Sequence, residues 1–199
     1  MSVWNIIDAY FKDNHNILVK HHIESFDDFI LKGIPRIFRE NNPVVIMQHQ
    51  IKNTTQYERM VHLYMGGKEG NKIYYGKPVI YNDVEDKESD THYMYPNEAR
   101  LKNMTYAMTI HYDVECELVE NDGKDIKRET ILLPKVFLGR FPIMLQSHFC
   151  ILKGLSREGR FHLGECRNDP GGYFVVDGKE KVVVSQEIFG NNLLYFRKH

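Results

Sequence analysis

Apolar residues recur every three to four positions through the first forty residues and then alternate with polar ones, so the sequence predicts a helical beginning and a strand-rich remainder. Val3, Ile6, Ile7, Tyr10 and Phe11 share one face of a first short helix, ended by Asn14-His15-Asn16. A second apolar face runs through Ile23, Phe26, Phe29 and Ile30. Gly33 is its predicted stop, and Ile34-Pro35 a restart in which proline takes a first-turn position. Ile37 and Phe38 continue into a third short helix that stops before Pro43.

From Val44 the period changes. Val44 to Met47, Tyr57 to Met65 and Ile73 to Tyr81 are predicted strands, separated by turns at Asn53-Thr54-Thr55 and Gly66 to Gly70. Asn82 to Asp90 is polar and mostly acidic, the pattern of a mobile surface loop. Thr109 to Val119 alternates, Asn121 to Lys124 turns, and Arg128 to Leu133 returns as its partner. Pro134 predicts a break or an edge position, after which the strand resumes at Val136 and ends near Leu145. Ser147 to His162 is a polar insert, expected to be a loop with at most a helical turn.

Asp169-Pro170-Gly171-Gly172 is a tight turn, since proline presets φ and glycine accepts positive φ. A hairpin follows, with strands Tyr173 to Val176 and Lys181 to Val184 around Asp177-Gly178, and Lys179 and Glu180 opening the return. Leu193 to Phe196 begins another strand. No repeat and no linker divides the chain, which is expected to be one domain over 1–199, helical over 1–43 and mainly strands over 44–199.

Composition narrows the function classes. With 199 residues, 42% of them hydrophobic, the chain can bury a sizeable core, yet no apolar run approaches the ~20 residues of a membrane helix. Met1 to Tyr10 lacks the pattern of a signal peptide. Lys and Arg number 26 against 27 Asp and Glu, so any contact with nucleic acid has to be local rather than driven by a global field. Three cysteines cannot pair completely, which suits a reducing, intracellular setting.

Self-contained chemistry has little support. His148, Cys150, His162 and Cys166 are four possible zinc ligands in a short segment, but His-x-Cys is an awkward first pair for a structural zinc site, and a structural role is preferred. There is no nucleophile elbow, no phosphate-binding glycine loop ending in Lys-Ser or Lys-Thr, and no paired histidine zinc motif. Asp8, Asp13, Asp27 and Asp28 read as capping or solvated residues, and Ser185 as a structural one. No catalytic residue is predicted.

A family resemblance is carried most strongly by three strings, at Tyr95, Gly139 and Asp169. Gly139-Arg140-Phe141-Pro142-Ile143-Met144-Leu145, then Glu165-Cys166, then Asp169 to Glu187 resemble the pattern G-R-x-P-I-M-L, an acidic residue with cysteine, and D-x-G-G-Y-F-x-x-x-G-x-E-K-V-x-x-x-Q-E. That pattern belongs to the second-largest subunit of multisubunit DNA-directed RNA polymerases of eukaryotic, archaeal and large-DNA-virus type. Tyr95 to Tyr106 is similar to the same subunit's Y-P-x-E-A-R-L-R-N-L-T-Y, which places a short helix over Pro96 to Lys102. Ser25 to Ile30 with Gly33-Ile34-Pro35 resembles its helix and G-I-P.

The resemblance implies the first segment of the protrusion, an α+β domain with N-terminal helices on a mainly antiparallel sheet that forms one wall over the DNA cleft. The lobe and all later domains are absent from the segment. Gly139, Arg140, Pro142, Asp169, Gly171, Gly172, Gly178 and Glu180 would be its structural signature, and Lys181, Ser185 and Gln186 would lie close to the RNA–DNA hybrid. The other reading of Lys179 and Lys181 is a solvated strand edge. Cys150 and Cys166 match positions often cysteine in the family, whose zinc lies elsewhere. Magnesium would be held by the largest subunit, with no cofactor in this segment. Expected partners are the rest of the second-largest subunit, the largest subunit, the DNA template and the RNA–DNA hybrid, without a membrane. The expected location is intracellular, in a nucleus or in a viral factory or virion. The alternative is a free-standing binding module that reuses the fold without catalysis.

Overall fold

The computed structural model of the chain describes residues 2–13, 16–50, 57–81, 91–121, 125–184 and 190. It is α+β, with helices preceding a mostly antiparallel sheet. Helix α1 (Val3–Asp13) is followed by α2 (Lys20–Asp28), a π-helical turn (Phe29–Gly33) and α3 (Ile34–Asn41). Gly33 does not stop the helix. Its φ of −63° and ψ of −52° are right-handed helical, and the Ile34 N–H reaches back to the Phe29 carbonyl. The widened turn carries the chain past the missing N–H of Pro35, so α2 and α3 join without a break.

The main sheet is built on β6 (Ala107–Asn121), the longest central strand. One edge of β6 pairs in succession with β3 (Ile73–Gly76) and β2 (Tyr57–Met65), and β1 (Val44–Gln50) extends the sheet beyond β2. The other edge pairs along its length with β7 (Ile126–Pro142). Asn42 ties the helices to this sheet, donating to the carbonyls of Met65 and Gly67 and accepting from the Met65 N–H at 2.9 Å.

Two prolines reshape the predicted strands. The run Ile73 to Tyr81 is two strands, because Lys77-Pro78 leaves the ladder and β4 (Val79–Tyr81) pairs instead with β5 (Thr91–Tyr93) in a separate ribbon. At Pro134 the strand continues through a β-bulge: Pro134 and Lys135 together oppose Asp113, whose carboxylate accepts the Lys135 N–H at 2.9 Å. The edge position of β7 is as the proline predicts. β7 ends at Pro142, short of Leu145, since the next N–H groups turn inward: Ile143 bonds to the Tyr106 carbonyl and Leu145 to that of Tyr173.

After α4 (Pro96–Leu101) and the long β6–β7 pair comes a segment that is not a polar excursion. Cys150 and Leu152 enter the core, and the segment closes with α5 (Arg157–His162), capped by Ser156. The final ribbon is β8 (Phe174–Val176) with β9 (Lys179–Lys181). The return strand therefore ends at Lys181, and Val182, Val183 and Val184 are exposed and unpaired with β8. Ile30, Ile34, Phe38, Tyr106, Met108, Ile110, Ile143, Leu145 and Val175 meet in one core between helices, sheet and ribbon. The predicted turns at Asn53–Thr55 and over 122–124, the loop 82–90 and the strand Leu193 to Phe196 lie outside the described residues.

Candidate nucleic-acid interface

The last ribbon is held by polar contacts that begin in its turn. Asp177 and Gly178 both have positive φ, 50° and 72°, the pair that a two-residue turn of this hand requires. Thr105 brackets this turn, its hydroxyl donating to Asp177 Oδ1 and accepting from the Asp177 N–H at 3.0 Å each. The Gly178 N–H bonds to the Met104 carbonyl and the Tyr106 N–H to that of Val175. β8 is thus stitched to the loop that follows α4.

At the base of the ribbon lies an ion-pair network. The Arg100 guanidinium donates through Nη1 to both oxygens of Glu165, through Nη2 to the Tyr173 hydroxyl at 2.8 Å and through Nε to Glu180 at 2.9 Å. The Tyr173 hydroxyl in turn donates to Asp169, whose other oxygen accepts the Gly171 N–H. The Asp169 carbonyl accepts from Gln146 and from Arg160. Glu165 is buried at 4% exposure, and removing one partner of such a buried pair costs about 3–5 kcal/mol.

Burial opposes the charge on Arg100, but its hydrogen bonds to Glu165, with Tyr173 beside them, outweigh it and raise its pKa. Burial also pushes the Tyr173 hydroxyl up, and its bond to Asp169 adds to this, so at neutral pH it is the donor the network needs. Burial raises the Cys150 thiol in the same way, which makes it an inert core residue.

The signature residues distribute unevenly. Asp169, Gly171, Gly172, Gly178 and Glu180 all belong to the ribbon and its supports. Gly171 and Gly172 have positive φ, and a Cβ on them would strike the Leu145 carbonyl at 2.6 Å and the Val19 side chain at 2.7 Å. Gly139, Arg140 and Pro142 lie instead on edge strand β7, opposite Ile110, Thr109 and Ala107. Lys181 is exposed at the end of β9, while Ser185 and Gln186 lie outside the described residues. No role was predicted from sequence for Arg100, Glu165 or Thr105, although Arg100 and Thr105 lie within the Tyr95 to Tyr106 string and Glu165 is the acidic residue of the family pattern.

Beside the ribbon, a groove of about 360 Å³ separates it from α2, lined by His21, His22, Phe26, Phe29, Phe174 and Val183. Phe26 and Phe174 meet edge to face across it at 5.6 Å.

The four zinc candidates do not converge. His148 and Cys150 line one cavity with Tyr75 and Phe149, and His162 lines a different groove with Tyr95 and Leu101. Among the described residues no group of three or more His, Cys, Asp and Glu side chains is placed to hold a metal ion. Among the described residues, no helix is long and apolar enough to cross a membrane.

Residues 17–197 match the family model described as RNA polymerase beta subunit. The chain is 34% identical over 201 residues to DNA-directed RNA polymerase II subunit RPB2 of Eremothecium gossypii, covering 96% of this chain and 16% of that protein. It is 33% identical over 200 residues to DNA-directed RNA polymerase II subunit 2 of Arabidopsis thaliana, covering 98% and 16%. It is 32% identical over 197 residues to DNA-directed RNA polymerase subunit Rpo2N of Methanothermobacter thermautotrophicus, covering 99% and 33%. The chain spans a sixth to a third of the length of these relatives.

Proposed function

The chain belongs to the RNA polymerase beta subunit family, and from that premise we propose that it forms the protrusion of the second-largest subunit of a DNA-directed RNA polymerase. Its role there is a wall of the nucleic-acid cleft supporting templated RNA synthesis. Phosphoryl transfer, with its magnesium, is carried by other parts of the assembly, in which the remaining subunits and the RNA–DNA hybrid are the partners.

One observation carries this reading: the family strings at Tyr95, Glu165 and Asp169 converge on the Arg100 network, which holds a ribbon with exposed Lys179 and Lys181. A lysine on such a ribbon suits phosphate, because neutralising phosphate releases counterions and gives binding a salt dependence. Exposed apolar surface on α1 and along β1 and β7 also favours a segment that packs on more protein over a self-sufficient module.

The test is Lys181→Ala in the whole subunit, assembled into polymerase on a preformed RNA–DNA scaffold. Scaffold retention is expected to weaken at raised salt, and the slope of log affinity against log salt to become shallower by about 0.7–0.9, the value of one phosphate contact. Salt dependence indistinguishable from the parent enzyme would remove the contact.

A further inference from the structure

The two strands of the ribbon are attached differently. β8 is bound to the domain through the main chain: the Val175 carbonyl takes the Tyr106 N–H, and the Leu145 N–H reaches the carbonyl of Tyr173 just before it. Among the described residues, β9 pairs with β8 and with no other strand. Among the described residues, Lys179 and Lys181 form no ion pair or side-chain hydrogen bond, whereas Glu180 accepts a 2.9 Å bond from Arg100 Nε.

Alternation within β9 decides what that bond does. Residues directly opposite on paired strands share a face, and neighbours along a strand point to opposite faces. Glu180 stands opposite Val175, which is fully buried, so Glu180 is on the face turned to the core. Lys179 and Lys181 stand opposite Val176 and Phe174 on the other face. Turning β9 about its axis would move all three side chains together. Holding Glu180 against Arg100 therefore sets the direction of both lysines. Arg100 can act as a fixed post because Glu165, buried in the domain, grips its far end.

We propose that Glu180 is a positioning residue for nucleic-acid contact: its bond to Arg100 orients Lys179 and Lys181 as a pair toward the backbone of the bound nucleic acid. This rests on the cleft-wall reading above and adds to it the part played by an acidic residue set between two phosphate-facing lysines. Charge alone predicts the opposite sign, since a carboxylate beside phosphates repels them and its removal tightens binding.

That opposition makes the test decisive. The whole subunit carrying Glu180→Ala, Glu180→Gln or Lys181→Ala is assembled into polymerase, and dissociation of a labelled RNA–DNA scaffold is timed at several salt concentrations. Glu180→Ala is expected to speed dissociation roughly two- to fivefold, the range set by the worth of a half-exposed ion pair. Glu180→Gln, whose amide oxygen still accepts from Arg100 Nε, is expected to restore the parent rate. Dissociation of the Ala variant at or below the parent rate overturns the proposal, as does a Gln variant no better than Ala. If Lys181→Ala leaves dissociation unchanged at every salt concentration, the cleft-wall reading itself fails, and the positioning role falls with it.

Discussion

Tyr173 occupies the middle of a relay in which a cation donates to its oxygen and a carboxylate accepts its proton. Such a hydroxyl is useful only while protonated, and burial followed by the bond to Asp169 keeps it so. Tyr106 is likewise raised, first by burial, with the Cys150 thiol beside it. In both cases the folded pKa lies above the unfolded value of about 10. The folded state then binds more protons than the unfolded chain above that pH, so the stability these groups confer is complete below about pH 10 and is lost as pH rises further. We expect the urea midpoint to fall steeply above that pH, and Tyr173→Phe to flatten the fall while lowering the plateau. A midpoint independent of pH through this range would contradict the assignment. Tyr173 and its acceptor Asp169 were visible in sequence, four positions apart in one string, but the donor Arg100 lies 73 positions away in another.

The β8–β9 ribbon was the most legible element, because its turn chemistry is local. Asp177-Gly178 demands two positive φ values, and the structure has them. Gly178 is also pressed against α4: a Cβ there would lie 2.8 Å from Asn103 Cα and 3.0 Å from the Arg100 carbonyl, both backbone atoms unable to swing aside. Gly178→Ala is expected to destabilise the chain by about 1–3 kcal/mol, the cost of a strained turn residue, measured by urea denaturation. A neutral substitution would show that the turn is free of α4. Elements defined by non-local pairing were less legible. The helix runs through Gly33 because a π-helical turn absorbs Pro35, and β7 runs through Pro134 because Asp113 supplies the acceptor for the neighbouring N–H. The first compensation lies in the turn just before Pro35 but has no sequence signal of its own, and the second comes from a residue 22 positions before Lys135.

Taken whole, the domain leaves much apolar surface uncovered. Trp4 is 77% exposed, with Val3, Ile6, Ile7, Tyr10 and Phe11 also exposed on α1, and Ile46, Ile126 and Phe137 exposed on the sheet. Surface of this kind on a single chain marks a contact region or an association hazard. The chain alone is expected to enhance the fluorescence of an apolar dye, and Trp4→Ser with Ile7→Ser to reduce that signal. No enhancement from the parent chain would mean that these residues are covered in solution. Periods, turn dipeptides and ordered strings along the chain were enough for the helical beginning, the main strands of the sheet, the turn of the closing hairpin and the family, since each depends on residues near one another in sequence. Which strands lie side by side, how Arg100 gathers Glu165, Tyr173 and Glu180, and the scattering of His148, Cys150, His162 and Cys166 came only with the folded chain. Those relations depend on burial and on contacts between distant segments, where a charge becomes a structural centre only once its partners have been carried out of water beside it.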